Sequence, residues 1–261
     1  MILIREKGFE LFIGELYREK PIFLTAEHAS EEKVFVDDKH YVIVGDEYTG
    51  EIEERVAKEK RIAYLKATIP RSYVDFNRRK EDFGKLKPLK TTLYDINGNV
   101  VGTYEIEIHS GRIENAEEIW EGYHGAIDHY TKVYGYSQPK VVIPVHGMRD
   151  REDRPDLCLA VGKGDGKYRY LNEIEVKSLK ERIEEEWIRT YGEEIKIGIN
   201  HPFSHSMNEI LRRYVYERRK RGERVGGLAL EISYSLRKET EKAINIVSWT
   251  VEWFIENYIQ K

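Results

Sequence analysis

The chain contains few of the residues that mark several classes of protein. A single cysteine, Cys158, in 261 residues excludes a framework of disulfide bonds. With 20 glycines and 7 prolines the sequence is also unlike a collagen or a linker-rich chain. Basic residues number 43 against 47 acidic ones, so the positive charge typical of a nucleic-acid-binding protein is missing. We therefore expect no nucleic-acid partner.

Long apolar segments are missing as well. No run approaches the roughly 18 apolar residues of a membrane-spanning helix, and charged residues interrupt residues 1–20 throughout. A secretory signal would need an uninterrupted apolar stretch of about 7–15 residues. The sequence thus predicts a soluble, cytoplasmic protein that does not enter a membrane.

The chain does contain ample material for a folded core. Hydrophobic residues make up 40% of it and aromatic residues 11%, which excludes a disordered chain. Charged residues reach 34%, and glutamine occurs only at Gln138 and Gln260. Many ion pairs with few thermolabile residues are typical of a thermophile's protein. The length fits one large domain, which we take to span residues 1–261.

Short strands alternate with helices along the chain. Asn97 and Gly98 lie between two alternating runs and predict a β-hairpin at Thr91–Ile106. The order of elements predicts an α/β fold in which helices cover both faces of a mainly parallel sheet, with the hairpin inserted. The predicted strands are Pro21–Ala26, Arg61–Thr68, Ser72–Asn77, Lys140–His146, Asp156–Gly162, Ile195–Asn200 and Gly226–Ser233, and the predicted helices are Asp46–Lys60, Asn115–Tyr134, Ile174–Tyr191, Ser206–Arg221 and Lys238–Ile259.

Polar residues at the ends of buried strands are the first candidates for a site, because ligands bind beyond the carboxyl ends of such strands. His28 and Glu31 follow one strand, and His146 ends another. Imidazole nitrogen and carboxylate oxygen both suit Zn²⁺, and three such ligands leave a position open for water. The pattern favours a zinc site, although a helix-capping His28 and a Glu31 that faces a helix dipole are the structural alternatives.

Glu231 is a carboxylate inside the otherwise apolar run "GGLALEIS". A buried charge needs a partner, a metal or a shifted pKa. Beside a metal-activated water it would act as a general base. A structural ion pair with an arginine is the alternative.

The segment "PRSYVDFNRR" carries several charged residues at another strand end. Arg78 offers a fork that fits a substrate carboxylate, and Arg71 and Asn77 lie close enough in sequence to assist it. Asp75 could orient Arg78 or a ligand histidine. Arg149, just after the His146 strand, is a further candidate for substrate binding. An ion-pair network on the surface explains the same spacing equally well.

Taken in order, several segments of the chain resemble the N-formylglutamate amidohydrolase family. They cover about residues 21–240 and are "TAEHAS", "PRSYVDFNR", "YHGAI", "PVHGM", "RPDLCLAVG", "GINHPF" and "LALEIS". The resemblance implies a three-layer α/β/α sandwich similar to the zinc exopeptidases. It also implies hydrolysis of the formamide of N-formylglutamate to glutamate and formate.

The resemblance assigns further roles. His28 and His146 match two histidines that look like metal ligands, and an acid of the family falls on Asp46. Either Glu31 or Asp46 would then be the third ligand, and the "HxxE" pair of the zinc carboxypeptidases favours Glu31. Asn200, in "GINHPF", is implied as a substrate contact. After this motif "SHSMNE" replaces the family's glycine-rich stretch, which puts the substrate's identity in doubt.

The leading hypothesis is a zinc-dependent hydrolase that acts on a small, carboxylate-bearing amide such as an N-formyl amino acid. A binding protein that keeps the cleft without turnover is the rival, and "SHSMNE" motivates it. A third interpretation is that the charged groups form ion pairs with one another and only stabilise the fold. The sequence does not indicate an oligomeric state, and it leaves His201 and His205 without a role.

Overall fold

A computed structural model describes residues 1–82, 85–109, 113–162, 170–204 and 208–260. We number strands and helices in chain order. The large sheet runs, from edge to edge, through β1 (Ile2–Glu6), β2 (Phe9–Ile13), β6 (Ala63–Ala67), β3 (Ile22–Ala26), β9 (Val141–Met148), β13 (Ala229–Ser233), β10 (Leu157–Ala160) and β11 (Ile197–Ile199), with the short β12 (Gly226–Gly227) beside β9. The small sheet contains β4 (Glu32–Phe35), β5 (His40–Val44), β7 (Leu86–Asp95) and β8 (Val100–His109).

The helices connect these strands. They are α1 (Thr49–Lys60), α2 (Ala116–Val133), α3 (Glu173–Tyr191), α4 (Glu209–Leu211), α5 (Glu217–Lys220), α6 (Tyr234–Lys238) and α7 (Thr240–Phe254). A π-helical segment (Arg212–Tyr216) connects α4 with α5, and a second one (Ile255–Ile259) follows α7. A 3₁₀ turn covers Lys80–Asp82. Among the described residues, no helix has the length and apolar character that a membrane span requires.

The centre of the large sheet is parallel. Strands β6, β3, β9 and β13 pair in parallel, so their carboxyl ends meet at one edge of the sheet. β10 runs antiparallel to β13, and the β1–β2 hairpin adds two antiparallel strands at the other side. The predicted α/β fold with a mixed sheet and an inserted hairpin is therefore confirmed.

Side-chain alternation along the central strands builds two cores. Ile143 and Val145 pack on the face that α1, α3 and α7 cover. Val142 and Met148 point to the opposite face, which α2 and the helix starting at Glu209 cover. These helix layers enclose the sheet and make the predicted three-layer sandwich. His146 shares the face of Val142, so it points toward the second layer at the carboxyl edge of the sheet.

Two parts of the architecture differ from the sequence prediction. The β1–β2 and β4–β5 hairpins were not predicted, although Gly8 between β1 and β2 has a φ of +101° that marks a turn. The predicted strand Ser72–Asn77 is wrong, because this segment forms successive turns. The Asp75 carboxylate accepts the backbone N–H of Asn77 at 3.2 Å, and such a local side-chain bond competes with strand pairing.

Glu10 of β2 generates a prediction about stability and pH. Burial alone would raise the pKa of Glu10, but the Tyr64 hydroxyl and the charges of Arg5 and Lys66 lower it from 4.5 to about 2. A carboxyl whose pKa falls on folding stabilises the protein above the unfolded pKa, and the effect disappears as pH falls through the folded pKa. Glu10→Gln should therefore lower the free energy of unfolding by about 1–2 kcal/mol at pH 7 and by almost nothing near pH 2.

Urea denaturation of both proteins between pH 7 and pH 2 measures this difference. The exposed Glu19 provides a control, since Glu19→Gln should be neutral throughout. If Glu10→Gln lowers the free energy of unfolding by the same amount at pH 7 and at pH 2, the charge of the Glu10 carboxylate is not the cause of the lower stability.

Candidate metal centre and active site

One buried carboxylate oxygen lies between two buried histidines at the carboxyl edge of the large sheet. Asp46 Oδ2 is 3.3 Å from His28 Nδ1 and 3.3 Å from His146 Nδ1. The two imidazole rings are 5.1 Å apart, edge to face. Within the described part of the chain, these three residues form the one group of His, Cys, Asp and Glu side chains that could hold a metal ion.

Three chain segments meet to form this group. His28 follows β3, and His146 lies in the neighbouring parallel strand β9. Asp46 lies between β5 and α1, where its N–H donates to the His28 carbonyl and its own carbonyl accepts the Thr49 hydroxyl. The Gly147 N–H donates to Asp46 Oδ2 at 3.0 Å. Asp46 is therefore fixed through its backbone by the segment after β3 and through its carboxylate by β9.

The opposite nitrogen of each histidine faces a second carboxylate. His28 Nε2 lies 2.8 Å from Asp75 Oδ1, and His146 Nε2 lies 3.2 Å from Glu27 Oε2. A carboxylate behind a histidine is the usual partner of a metal ligand, because it accepts a hydrogen bond from the Nε2–H and so leaves Nδ1 as the electron-pair donor. Both rings are thus oriented to present Nδ1 toward Asp46.

Asp75 is held by two arginines. Its Oδ2 accepts hydrogen bonds from Arg71 Nη2 at 3.2 Å and from Arg78 Nε at 3.0 Å. Burial would raise the pKa of Asp75, but Arg71, His28 and Arg78 together hold it well below its usual range. In the structure, Arg71 and Arg78 therefore bind Asp75. Their predicted contact with a substrate stays a prediction.

Glu27 is held by uncharged donors. Its Oε1 lies 3.3 Å from Thr25 Oγ1 and 3.2 Å from Asn208 Nδ2, and the residue is fully buried. Neither Glu27 nor Asn208 has a role among the predictions made from the sequence. The sequence does carry a signal for Glu27, because this acid directly follows the predicted strand Pro21–Ala26 and so fits the strand-end pattern that singled out His28 and His146.

The charges around the histidines suit a divalent cation. Burial and Arg71 lower the pKa of His28, yet Asp75 and Asp46 raise it overall. Burial also opposes protonation of His146, but Glu27, Asp46 and Glu231 raise its pKa to about 9. The pKa of Asp46 falls well below its usual range because the two histidines outweigh its burial. A site that attracts positive charge this strongly fits a hard or borderline cation on two imidazoles and a carboxylate.

Glu231 lies beside His146. The two residues are register partners on the parallel strands β13 and β9, and Glu231 is 5% exposed. On its other side Glu231 pairs with Cys158 of β10. The carboxylate predicted as a general base is thus one strand away from the candidate metal ligands and on the same face of the sheet.

Glu31 lies apart from the group. It is an exposed residue just before β4, and it is not a member of the cluster that His28, Asp46 and His146 form. Of the two alternatives for the third ligand, the geometry therefore favours Asp46. After His28 the chain turns into an edge strand of the small sheet, and this places Glu31 outside the cluster.

Arg149 follows the last residue of β9. Its Nη1 and Nη2 atoms are buried and have no hydrogen-bond partner among the described residues. Burial, together with the charges of Arg151 and Arg154, lowers the pKa of the guanidinium to about 10. A buried guanidinium without an anion is costly, so Arg149 is suited to receive an anionic ligand.

The remaining predicted contacts have structural partners. Asn77 Oδ1 accepts from Asn208 Nδ2 at 2.9 Å. Asn200 bonds the backbone at both ends of its amide, since Oδ1 accepts the Val161 N–H and Nδ2 donates to the Gly162 carbonyl, each at 2.8 Å. Contact of Asn77 or Asn200 with a substrate stays a prediction. His205 and the residues up to 207 lie outside the described residues.

Comparison with known proteins identifies the family. Residues 23–237 match the sequence model of the N-formylglutamate amidohydrolase family, which is well over half of the chain. The chain belongs to this family. Membership supports an amidohydrolase enzyme, and the resemblance seen in the sequence is confirmed. No curated protein in the comparison matches the chain significantly.

Solved structures share the fold. An N-formylglutamate amidohydrolase from Ralstonia eutropha JMP134 has a TM-score of 0.58 at 18% identity, covering 97% of this chain and 98% of its own. A gene product from Agrobacterium tumefaciens has a TM-score of 0.55 at 11% identity, covering 95% of this chain and 92% of its own. Both likenesses extend over nearly the whole chain, so this protein shares its fold with these two structures.

The buried Arg237, which was not predicted from the sequence, connects the segments that form the site. Arg237 donates to the carbonyls of Ile232, Met148 and Glu47, and so ties β13, β9 and the Asp46 loop together. Gly147 makes this possible, because a Cβ at that position would overlap the guanidinium. No sequence signal separated Arg237 from the exposed basic residues around it.

The two candidates for the third ligand can be separated by substitution. Asp46→Asn should weaken Zn²⁺ binding by at least about a hundredfold, because even residues behind a ligand change affinity by about 10–100-fold. Glu31→Gln should leave the affinity unchanged and serves as the matched control. Competition with a chromophoric chelator measures both affinities. The reverse pattern would show that the cation binds at Glu31.

Proposed function

We propose that this protein is a metal-dependent hydrolase of an amide bond in a small N-acyl amino acid, with an N-formyl group as the favoured acyl group. The observation that carries the proposal is the convergence of His28, Asp46 and His146 with Glu231 beside them at one edge of the sheet. Membership in the N-formylglutamate amidohydrolase family supports the same reaction class. Both the metal and the general base are part of the proposal.

His28, His146 and Asp46 would hold the metal ion, and Zn²⁺ fits this set of two nitrogens and one oxygen. A divalent cation held there would supply a Lewis acid that polarises the scissile carbonyl and lowers the pKa of a water molecule toward about 7. Asp75 and Glu27 keep the two imidazole rings in the orientation that binding requires. Three protein ligands leave room for substrate, as in other catalytic zinc sites.

Glu231 would move the proton. Its carboxylate takes a proton from the attacking water while the oxygen adds to the amide carbon. The same group then passes the proton to the leaving nitrogen as the carbon–nitrogen bond breaks, so that a free amino acid and, from an N-formyl substrate, formate are produced. The position of Glu231 beside His146 supports this role.

Arg149 would bind a carboxylate of the substrate. Both terminal nitrogens of its guanidinium are buried and have no hydrogen-bond partner among the described residues. A guanidinium in this state can bind a carboxylate through two parallel hydrogen bonds. Arg78 is half-buried, and one of its nitrogens is bound to Asp75. We assign Arg149 the main contact and Arg78 an assisting one.

Removal of the proposed base provides the most direct functional test. Wild-type protein loaded with Zn²⁺ should release formate from N-formyl amino acids, and Glu231→Gln should lower kcat by about 10²–10⁴-fold because general base catalysis contributes that much. The variant should keep the metal content and the melting temperature of the wild type. Formate release and metal analysis on the same samples measure this.

The rival readings give different outcomes. A non-catalytic binding protein predicts no turnover by the wild type and ligand affinity that Glu231→Gln does not change. A purely structural role for Glu231 predicts a lower melting temperature with kcat unchanged. Wild-type protein without stoichiometric metal, and with activity that chelators do not affect, would contradict the metal dependence.

The substrate contact of Arg149 predicts a change in KM. Arg149→Met should raise KM for a carboxylate-bearing amide by about 10–100-fold, because a hydrogen-bonded charge contributes about 1.5–3 kcal/mol. Arg149→Lys should recover only part of this, since it restores the charge without the fork. The exposed neighbour Arg151 supplies the control, and Arg151→Met should leave KM unchanged. If Arg149→Met, Arg149→Lys and Arg151→Met all keep the KM of the wild type, Arg149 does not bind the substrate.

A further inference from the structure

We infer that Asn208 is a positioning residue of the active site in addition to being a helix cap. The residue precedes α4 and is 2% exposed. Its Oδ1 accepts the Leu211 N–H at 2.8 Å, which is the usual bond of an N-cap. Its Nδ2 donates to Glu27 Oε1 at 3.2 Å and to Asn77 Oδ1 at 2.9 Å. The last two bonds lead directly to the metal site.

The orientation of the Asn208 amide is fixed by the helix. Because Oδ1 is bound to the backbone of the first helical turn, Nδ2 has only one direction in which to point. An amide group carries two donors on that nitrogen, and Asn208 uses one toward each neighbour. A serine or an aspartate would cap the helix equally well but would not supply two donors. Capping alone therefore does not explain an asparagine at this position.

On one side the amide orients Glu27. The bonds from Asn208 and Thr25 hold Oε1, and this leaves Oε2 to face His146 Nε2 at 3.2 Å. A carboxylate in this position keeps the proton on Nε2 and the electron pair on Nδ1. Without the Asn208 donor Glu27 would lose one of the two bonds that set its rotamer, and His146 would be less well oriented.

On the other side the amide reaches the loop behind His28. Asn77, which accepts the second donor, gives its own N–H to Asp75 Oδ1, the oxygen that lies against His28 Nε2. One side chain therefore connects the support of His146 with the support of His28. This inference rests on the proposed function in that the two histidines are taken as metal ligands.

Asn208→Asp separates the two roles of this residue. The aspartate keeps an oxygen for the Leu211 N–H and is as good an N-cap as asparagine, but it places an acceptor where Glu27 and Asn77 need a donor. Asn172 offers a matched control, since it caps α3 by accepting the Glu175 N–H at 2.9 Å, and Asn172→Asp makes the same chemical change there. Asn208→Ser, which keeps a neutral cap, covers the case in which Asn208→Asp does not fold.

The expected result is a loss of Zn²⁺ affinity of about 10–100-fold in Asn208→Asp and Asn208→Ser, as is typical for a residue behind a ligand. Asn172→Asp should bind Zn²⁺ like the wild type. Thermal denaturation of the metal-free proteins reports the capping contribution separately. Wild-type Zn²⁺ affinity in a folded Asn208 variant would overturn the inference and leave Asn208 as a cap only.

A second readout needs no metal, and it separates this inference from the proposed function. In the metal-free wild type, NMR should show the two Asn208 Nδ2 protons in slow exchange with solvent. Glu27→Gln should shift one of them and Asn77→Ser the other. Protons that exchange rapidly and respond to neither substitution would overturn the inference. A wild type that binds no Zn²⁺ but shows both shifts would contradict only the proposed function.

Discussion

The site depends on one buried carboxylate oxygen that two histidines share. Asp46 Oδ2 contacts the Nδ1 atoms of His28 and His146 and the N–H of Gly147, so a single atom connects the ends of two parallel strands with the loop before α1. Parallel pairing of β3 and β9 brings the histidines to the same edge, and Arg237 fixes the Asp46 loop against that edge. A shift of any of these segments would separate the three donor groups.

The carboxylates behind the histidines are supported in two different ways. Asp75 Oδ2 accepts hydrogen bonds from the charged donors of Arg71 and Arg78, whereas Glu27 Oε1 accepts hydrogen bonds from the uncharged donors of Thr25 and Asn208. Glu27 faces His146, the histidine that is also the register partner of Glu231. In the proposed function the carboxylate of the substrate is assigned to Arg149, whose terminal nitrogens have no hydrogen-bond partner among the described residues.

The sequence predicts the strands that are apolar on both faces, and with them the edge at which His28, His146 and Glu231 meet. It does not predict the Ser72–Asn77 turns, because the contacts of Asp75 with distant groups override local alternation. The choice of Asp46 over Glu31 also depends on three-dimensional packing, since only the fold brings residue 46 between the histidines. The segment "SHSMNE", which contains Asn208, stood out in the sequence, but the role of Asn208 itself could not be predicted, because it arises from one amide that reaches two separate segments.

Diffraction at the zinc absorption edge, from crystals grown with Zn²⁺, tests the central claim most directly. The account predicts an anomalous peak about 2.0–2.2 Å from the Nδ1 atoms of His28 and His146 and from a carboxylate oxygen of Asp46. Asp75 and Glu27 should then remain on the Nε2 side of each ring. Fully loaded crystals with no peak between these residues, or with zinc on the Nε2 atoms, would contradict it.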